Sequence, residues 1–302
     1  MLAIALALGA SVCWGSGDFF GGLGTRRASL WAVIVGSQAV GLAGAVLVTL
    51  LAGRHWPGLL ALWPVLLGGL ASVVAISSFY KALAIGSMSV VAPISAASAV
   101  IPFLFGLVTG ERPGASQLAG VALAAVGVLL VATEPSRTGE TIGAAALPGQ
   151  PAVEPQAIGA GLQHRDRRRA VALALLAAVC IGLVMLGYDA VAEHDPLWAM
   201  LGGRASSATV FTFVFLALRP RLRLRRSALP LIAATGIADT AANGLFALAT
   251  THGYLSIVAV LGSVYPVVTV ALAYVLLRER VAPHQLAGAA GTLLGIALIA
   301  AG

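Results

Sequence analysis

Long apolar runs separated by short polar segments dominate the chain. A run of about 20 apolar residues is long enough for an α-helix to cross the hydrocarbon core of a bilayer. Ten runs meet this criterion and are predicted to be transmembrane helices. In chain order they cover residues 2–23, 30–51, 60–83, 88–109, 115–133, 170–192, 196–218, 228–250, 255–277 and 282–301. The polar, Pro- and Gly-containing segment 134–169 divides them five and five, and we expect it to be a flexible linker outside the membrane.

The two groups of five runs are copies of one unit. The stretch 79–120 returns as 246–288, and both copies end in Gln-Leu-Ala-Gly. Gly86 and Gly253 lie 167 positions apart, and the same register joins a Trp and a Cys of each half. Two Ala- and Gly-rich halves could resemble each other by chance, but shared positions for Trp, Cys, Gln and Glu argue against that. The predicted domains are a first repeat at 1–133, the linker at 134–169 and a second repeat at 170–302.

Basic residues follow different helices in the two repeats. After its second run the first repeat has Arg54 alone, whereas the second repeat has five arginines within 219–226. After the first run the bias is reversed, because the first repeat has two arginines there and the second has none. Five is an odd number of crossings, so the second repeat must enter the membrane from the opposite side. The exchange of basic loops therefore predicts two inverted five-helix repeats.

The same charges predict an orientation. Fifteen of the 18 Lys and Arg residues follow odd-numbered runs, Arg54 and Arg112 lie on the other side, and Arg204 lies within the seventh run. Because Lys and Arg accumulate in cytoplasmic loops, this count places both termini outside the cytoplasm. We expect a multi-pass protein of the inner or plasma membrane.

Composition excludes a soluble fold. Only 10% of the residues are charged and 59% are hydrophobic, whereas a soluble domain has about 25% charged residues. The net charge of +7 could suggest a nucleic-acid partner. The basic residues instead sit in short clusters between apolar runs, so no nucleic acid is expected. Cys13 and Cys180 fall inside apolar runs and are expected to be packing residues and not a disulfide.

Several short motifs lie in particular helices and helix–loop turns of the two repeats. They are Trp14-Gly15, Ala92-Pro93, Gly110-Glu111-Arg112-Pro113, Arg278-Glu279-Arg280 and the two Gln-Leu-Ala-Gly segments. In these motifs the chain resembles the EamA repeats of the drug/metabolite transporter superfamily. The resemblance implies ten helices around a central cavity. It also implies transport of small metabolites by alternating access, often outward. It also suggests cytoplasmic termini, against the arginine count. The small multidrug branch has a membrane-embedded Glu in its first helix, where this chain has only Asp18.

Ionisable residues within membrane spans are costly and are therefore candidates for function. Asp18 lies four residues after Trp14, so both share a helix face that suits an amine-bearing or cationic substrate. The alternative is that Asp18 lies near the helix end and meets water or Arg26. Asp239 lies midway along the eighth run with Asn243 on the same face. The alternative for Asp239 is a structural ion pair with Arg204.

Other candidates lie at helix breaks and ends. Lys81, after Tyr80, could bind a substrate carboxylate or extend to the interface. Pro93 and Pro266 are predicted to interrupt equivalent helices, and Tyr265 beside Pro266 could donate a hydrogen bond into the cavity or pack. We expect Asp18, Asp239 and Lys81 to face a common cavity.

The remaining acidic residues suggest structural roles. Glu111 and Glu279 lie at helix–loop junctions beside arginines, where interfacial ion pairs are expected. The consecutive residues Glu193-His194-Asp195 do not present a closed metal shell, so no metal site is predicted.

No phosphate-binding loop and no hydrolase or redox motif is present, so neither a cofactor nor an enzyme activity is expected. The sequence thus favours a secondary transporter, in particular an exporter, of small organic metabolites coupled to a proton, ion or substrate gradient. A multidrug or organic-cation exporter is the alternative within this class. A non-transporting sensor or a lipid-handling protein is the alternative outside it. The sequence leaves the oligomeric state open.

Overall fold

A computed structural model describes residues 1–85, 94–95, 97–132, 160–277 and 282–302. These residues form eleven α-helices and no strand, which confirms the all-helical prediction. In chain order the helices are α1 (Leu2–Thr25), α2 (Leu30–Leu51), α3 (Leu59–Ile85), α4 (Val100–Val108), α5 (Ala115–Ala132), α6 (Ala160–Ala192), α7 (Pro196–Leu218), α8 (Leu229–Thr250), α9 (Leu255–Gly262), α10 (Tyr265–Leu277) and α11 (Pro283–Ala301).

Within the described residues, eight segments are long and apolar enough to cross a membrane. They correspond to eight of the ten predicted runs, and α9 with α10 forms one of them, Leu255–Leu277. The two other runs contain the shorter apolar helices Ala97–Val108 and Ala115–Val131. The first part of the fourth predicted run lies outside the described residues.

The prediction of a flexible linker up to residue 169 was wrong at its end. Helix α6 begins at Ala160 and continues without a break into the apolar segment. The stretch 163–169 has no Gly or Pro and contains several arginines, which are good helix formers. Arg168 and Arg169 are exposed, so the helix can extend beyond the bilayer with its charges in water.

Helices of one repeat pack mainly against helices of the other, and the pairs are reciprocal. Helix α1 packs on α8, and its counterpart α6 packs on α3, the counterpart of α8. In the same way α2 packs on α8 while α7 packs on α3. The remaining pairs join counterparts to each other: α2 with α7, α4 with α9, and α5 with α11. Each repeat therefore supplies the partners that bury the helices of the other.

Glycines at the crossing of α5 and α11 show the direction of the two helices. A β-carbon on Gly127 would lie 2.5 Å from the backbone oxygen of Gly288, and one on Gly120 would lie 2.6 Å from that of Gly295. Only glycine permits this approach. Because the higher number in α5 meets the lower number in α11, these equivalent helices run antiparallel, as inverted repeats require.

The ninth predicted run is divided in two, as its proline suggested. Helix α9 ends at Gly262 and α10 begins at Tyr265, with Pro266 at its second residue, where no helical N–H is needed. All eight residues of α9 are buried, whereas no residue of α10 is. The main core joins α9 to the N-terminal half of α1. The half of the molecule nearest the chain termini is therefore the more tightly packed.

Candidate functional site

Arg204 lies at the centre of a polar network deep between three helices. It projects from α7, is 3% exposed, and forms an ion pair with Asp239 of α8. Its Nη1 donates a hydrogen bond of 2.9 Å to Oε1 of Gln38 on α2. Gly41 lets α2 approach, because a β-carbon there would lie 3.0 Å from the backbone oxygen of Gly236 and 3.2 Å from Nε of Arg204. One carboxylate thus balances the charge of Arg204, and one amide oxygen accepts a further hydrogen bond from its guanidinium.

The carboxylate of Asp239 is only partly enclosed by this network. One of its oxygens accepts from Nη2 of Arg204, yet 40% of its side-chain surface remains exposed, against 4% for Arg204. The pair therefore has a buried cationic end and an accessible anionic end. A ligand can approach Asp239 without first displacing Arg204.

Asp18 lies beside Asp239 across the packed helices α1 and α8. A β-carbon on the neighbouring Gly17 would lie 3.6 Å from the backbone nitrogen of Asp239. The two carboxylates repel each other electrostatically. Asp18 is exposed, and within the described residues no hydrogen bond or ion pair involves its side chain. With both acids ionised, Asp18, Asp239 and Arg204 together carry one net negative charge.

Trp14 and Asn243 form a second layer one helical turn away from the acids. Nε1 of Trp14 donates a hydrogen bond of 3.2 Å to Oδ1 of Asn243, and the Trp14 ring lies 5.6 Å from that of Phe246. Each residue precedes or follows its acid by four positions, and α1 and α8 run antiparallel. Both therefore lie on the side of the acids that faces the tightly packed half. The indole therefore lies between the two carboxylates and the tightly packed half of the molecule.

The start of α10 borders the same layer from a third direction. A β-carbon on Gly15 would lie 2.6 Å from the backbone oxygen of Tyr265, and Oγ1 of Thr269 donates a hydrogen bond of 3.1 Å to the backbone oxygen of Gly15. Tyr265 is half-buried and interacts electrostatically with Asp18. The broken ninth span therefore meets α1 between Trp14 and Asp18.

Comparison with known proteins identifies the family. The profile of the EamA-like transporter family matches residues 1–133 and 168–301, which is most of the chain and both repeats. The chain belongs to the EamA-like transporter family. It is thus an integral membrane protein of the drug/metabolite transporter superfamily and a membrane transporter of that type.

A solved structure supports the fold of this EamA-like transporter. This crystal structure superposes with a TM-score of 0.76 at 16% sequence identity, covering 98% of this chain and 95% of the other. At that identity the similarity concerns the fold alone. A search of curated proteins gave no match.

Of the predicted site residues Tyr80, Lys81 and Pro93, the structure describes only the side chain of Lys81. Lys81 is exposed near the end of α3, and in the described residues no hydrogen bond or ion pair connects it to Asp18 or Asp239. Tyr80 lies in α3, but its side chain is outside the description, and so is Pro93. The common cavity of Lys81 with the two acids remains a prediction.

Several polar residues around the network were not singled out from the sequence. Gln38 links Arg204 to Ser207, whose hydroxyl lies 3.4 Å from Oε1 of Gln38. Asp189 lies half-buried near the end of α6, within electrostatic reach of Glu111. Both Gln38 and Asp189 lie inside predicted spans, so the rule that polar residues in a span need a partner could have found them.

Among the described residues, Glu111 forms no ion pair, although an interfacial one was expected. Its two carboxylate oxygens accept hydrogen bonds of 2.6 Å and 3.0 Å from the backbone N–H groups of Leu255 and Ser256. A carboxylate at a helix N-terminus is stabilised by the unpaired N–H groups and the helix dipole. Glu111 of the first repeat therefore caps α9 of the second. Glu279 lies outside the described residues.

The Glu193-His194-Asp195 segment begins a helix. Oδ1 of Asp195 accepts hydrogen bonds from the backbone N–H groups of Leu197 and Trp198, which is the usual N-cap arrangement. Its Oδ2 lies 3.5 Å from Nε of Arg54. Among the described residues, no group of three metal-binding side chains is close enough to hold an ion.

Proposed function

We propose that this EamA-like protein is a secondary transporter that moves small organic molecules by alternating access. The observation that carries the proposal is the pair of carboxylates, Asp18 and Asp239, at the contact between the two inverted repeats. The indole of Trp14 lies one helical turn away from them. Placing two carboxylates inside membrane-spanning helices costs free energy, so carboxylates found there are expected to serve a function. In transporters built from inverted repeats, substrate sites lie at the repeat interface and beside broken helices, and the broken span of α9 and α10 borders this one.

The packing supports one of the two states that alternating access needs. On the side of the chain termini, α9 is fully buried against α1 and α4, and Glu111 ties its first N–H groups to the other repeat. On the other side, no residue of α10 is buried. We propose that the site is closed toward the termini here. The second state would exchange the packing of equivalent elements in the two repeats.

The charges of the site favour a substrate that carries an amine or another cation. Asp18 is the group free to pair with it, and the indole of Trp14 offers a cation–π surface. Asp239, whose side chain is partly exposed, would contribute the oxygen that does not accept from Arg204. Protonation of Asp18 in exchange for substrate would couple transport to a proton gradient. A multidrug or organic-cation exporter of the plasma membrane fits the same features, and outward transport is the direction we propose for either.

Reconstitution into sealed liposomes with an internal pH dye tests this. Amino acids, sugars, nucleosides and organic cations are added in turn, and counterflow of labelled compounds is measured in parallel to detect transport without proton movement. We expect a signal for amine-bearing or cationic compounds. In Asp18→Asn it should fall at least about tenfold, since one charge-assisted contact contributes 1.5–3 kcal/mol.

Two control variants make the result interpretable. Glu193→Gln removes an exposed acid at the end of α6 and should transport like the wild type. Asp239→Asn should also lose transport, and its unfolding temperature is measured alongside because it leaves Arg204 without a counter-charge. Wild-type transport by Asp18→Asn, or no transport of any compound in both assays, would contradict the proposal.

A further inference from the structure

A lateral cavity lies on a different face of α8 from Asp239. It has a volume of about 560 Å³ and is formed by α2, α7 and α8. Val48, Ile237 and Leu248 are among its apolar lining residues, Thr240 lies at its inner end, and Arg54 lies at its outer end. The cavity is not enclosed, because Ile237 and Val48 keep 60% and 48% of their surface exposed. The lining is almost entirely apolar and its exposed residues lie within spanning segments, so we infer that the cavity opens to lipid.

The length of the cavity corresponds to one leaflet. Along α8 its lining runs from Leu248 near the helix end to Ile237 near the middle. At 1.5 Å per residue this distance is about 16 Å, close to half of the roughly 30 Å hydrocarbon thickness. The Trp56 ring, 59% exposed, packs edge-on against Trp198 near the same end as Arg54. Aromatic side chains of this kind mark the membrane–water interface.

A positive charge stands where the cavity meets the interface. The side chain of Arg54 is 55% exposed, and its Nε lies 3.5 Å from Oδ2 of Asp195. That separation is longer than a charged hydrogen bond, so the guanidinium keeps donors available for another anion. Arg54 and Thr240 are two of the few polar side chains that line the cavity, and they lie at opposite ends of it.

The cavity is not a general consequence of the duplicated fold. Gly44 of α2 lines it, and a β-carbon on Gly44 would meet no atom within 4 Å. The equivalent residue of the second repeat, 167 positions later, is Phe211, which is buried. The second repeat thus has a large side chain where the first has an open glycine.

We propose that this cavity binds one acyl chain of an anionic phospholipid, with the phosphate of the headgroup on Arg54. The lipid belongs to the leaflet on the side of the chain termini. Its tail would reach Gly41 and Thr240, which adjoin the Arg204–Asp239 network, so a bound lipid would brace α2 against α8 beside the transport site. The proposal concerns lipid binding and does not depend on which substrate is transported.

Lipid titration of the purified protein in detergent tests the proposal. Phosphatidylglycerol and phosphatidylcholine with the same acyl chains are compared by thermal unfolding and by native mass spectrometry of retained lipid. We expect phosphatidylglycerol to half-saturate at a roughly fivefold lower concentration, the effect of one basic residue near an anionic lipid. Arg54→Gln should abolish this preference, and Arg54→Lys should keep most of it.

The second variant is designed to fill the cavity. Gly44→Phe has room for its β-carbon and copies the residue of the other repeat, so the lipid-free protein should unfold at a temperature close to that of the wild type while losing stabilisation by both lipids. Arg221→Gln, at the position equivalent to Arg54, and Gly22→Phe, at another glycine with open surroundings, are the matched controls and should bind lipid normally. A phosphatidylglycerol preference that survives Arg54→Gln, or lipid stabilisation that survives Gly44→Phe, would overturn the proposal.

Discussion

The two residues of the Arg204–Asp239 pair are unequally buried, and this difference decides how much each contributes to the stability of the protein. Arg204 is almost fully enclosed, whereas two fifths of the Asp239 side chain is exposed. Removal of one member of a buried pair is most damaging when it leaves the other charge without compensation. Gln38 adds one amide acceptor to Arg204 but no charge. Asp239 is therefore needed for stability as well as for its proposed role in transport.

We expect Asp239→Leu to destabilise the protein more than Arg204→Leu. The first leaves a buried guanidinium unpaired and should cost about 3–5 kcal/mol. The second leaves a carboxylate that can reach solvent and should cost about 1–2 kcal/mol. Unfolding in detergent measures both, and the double variant should be more stable than Asp239→Leu alone. Equal losses in the two single variants would show that the pair is not buried asymmetrically.

At the scale of helices, contacts between the two repeats depend on features with no signal in local sequence. Glu111 follows α4 but caps α9, which begins about 140 positions later. The crossing of α5 and α11 depends on glycines at positions such as Gly127 and Gly288. The first is a polar contact that can open, and the second is a steric fit that cannot relax. These elements should therefore respond differently to substitution.

Glu111→Gln should loosen the start of α9. An amide offers one acceptor oxygen instead of two and no charge, so we expect a loss of about 1–3 kcal/mol. Ser256, which is fully buried, serves as the probe: Ser256→Cys, in a background without Cys13 and Cys180, should react with a membrane-impermeant maleimide faster when Glu111→Gln is present. Glu193→Gln is the control. Unchanged labelling would show that the Glu111 cap does not limit access to the start of α9.

Gly127→Leu should destabilise the packing of α5 on α11. The new side chain would force the backbone away from Gly288, and overpacking of this kind costs about 1–3 kcal/mol. Gly22→Leu, in a helix but with no atom within 4 Å of its β-carbon, is the control and should be neutral or slightly stabilising. The unfolding temperatures of the two variants are compared. A neutral Gly127→Leu would mean that the two helices can separate freely.

For the whole molecule, the helix directions agree with one inverted duplication. The ring of Trp31, early in α2, lies 6.2 Å from that of Phe215, late in α7, and Arg54 beyond the end of α2 lies beside Asp195 at the start of α7. The two counterparts thus run antiparallel. On the opposite face, the backbone N–H of Ser29 donates a 2.8 Å hydrogen bond to the backbone oxygen of Arg223. The basic loops after α1 and α7 therefore lie together at one membrane face.

Equivalent cysteines should be labelled from opposite sides of the membrane. Arg54→Cys and Arg221→Cys occupy the same repeat position, 167 residues apart, beyond the ends of antiparallel helices. In intact cells an impermeant maleimide should label Arg54→Cys, and Arg221→Cys should react only after lysis, because the basic face is expected to be cytoplasmic. The reverse pattern would overturn the orientation predicted from the arginines but keep the inversion. Labelling of both from one side would contradict the inversion.

The sequence alone predicted the all-helical class, the duplication and its inversion, and eight of the ten predicted spans are found in the described residues. These features were predictable because span length, hydropathy and loop charge are local and additive along the chain. It also pointed to Asp18, Asp239 and Arg204 as polar residues within spans. Only the tertiary structure decided which helices meet, that Gln38 completes the Arg204 network, and that Glu111 caps a helix of the other repeat. Those contacts join residues far apart in sequence, and they depend on helix direction and on the close approach that glycines allow, which no local pattern records.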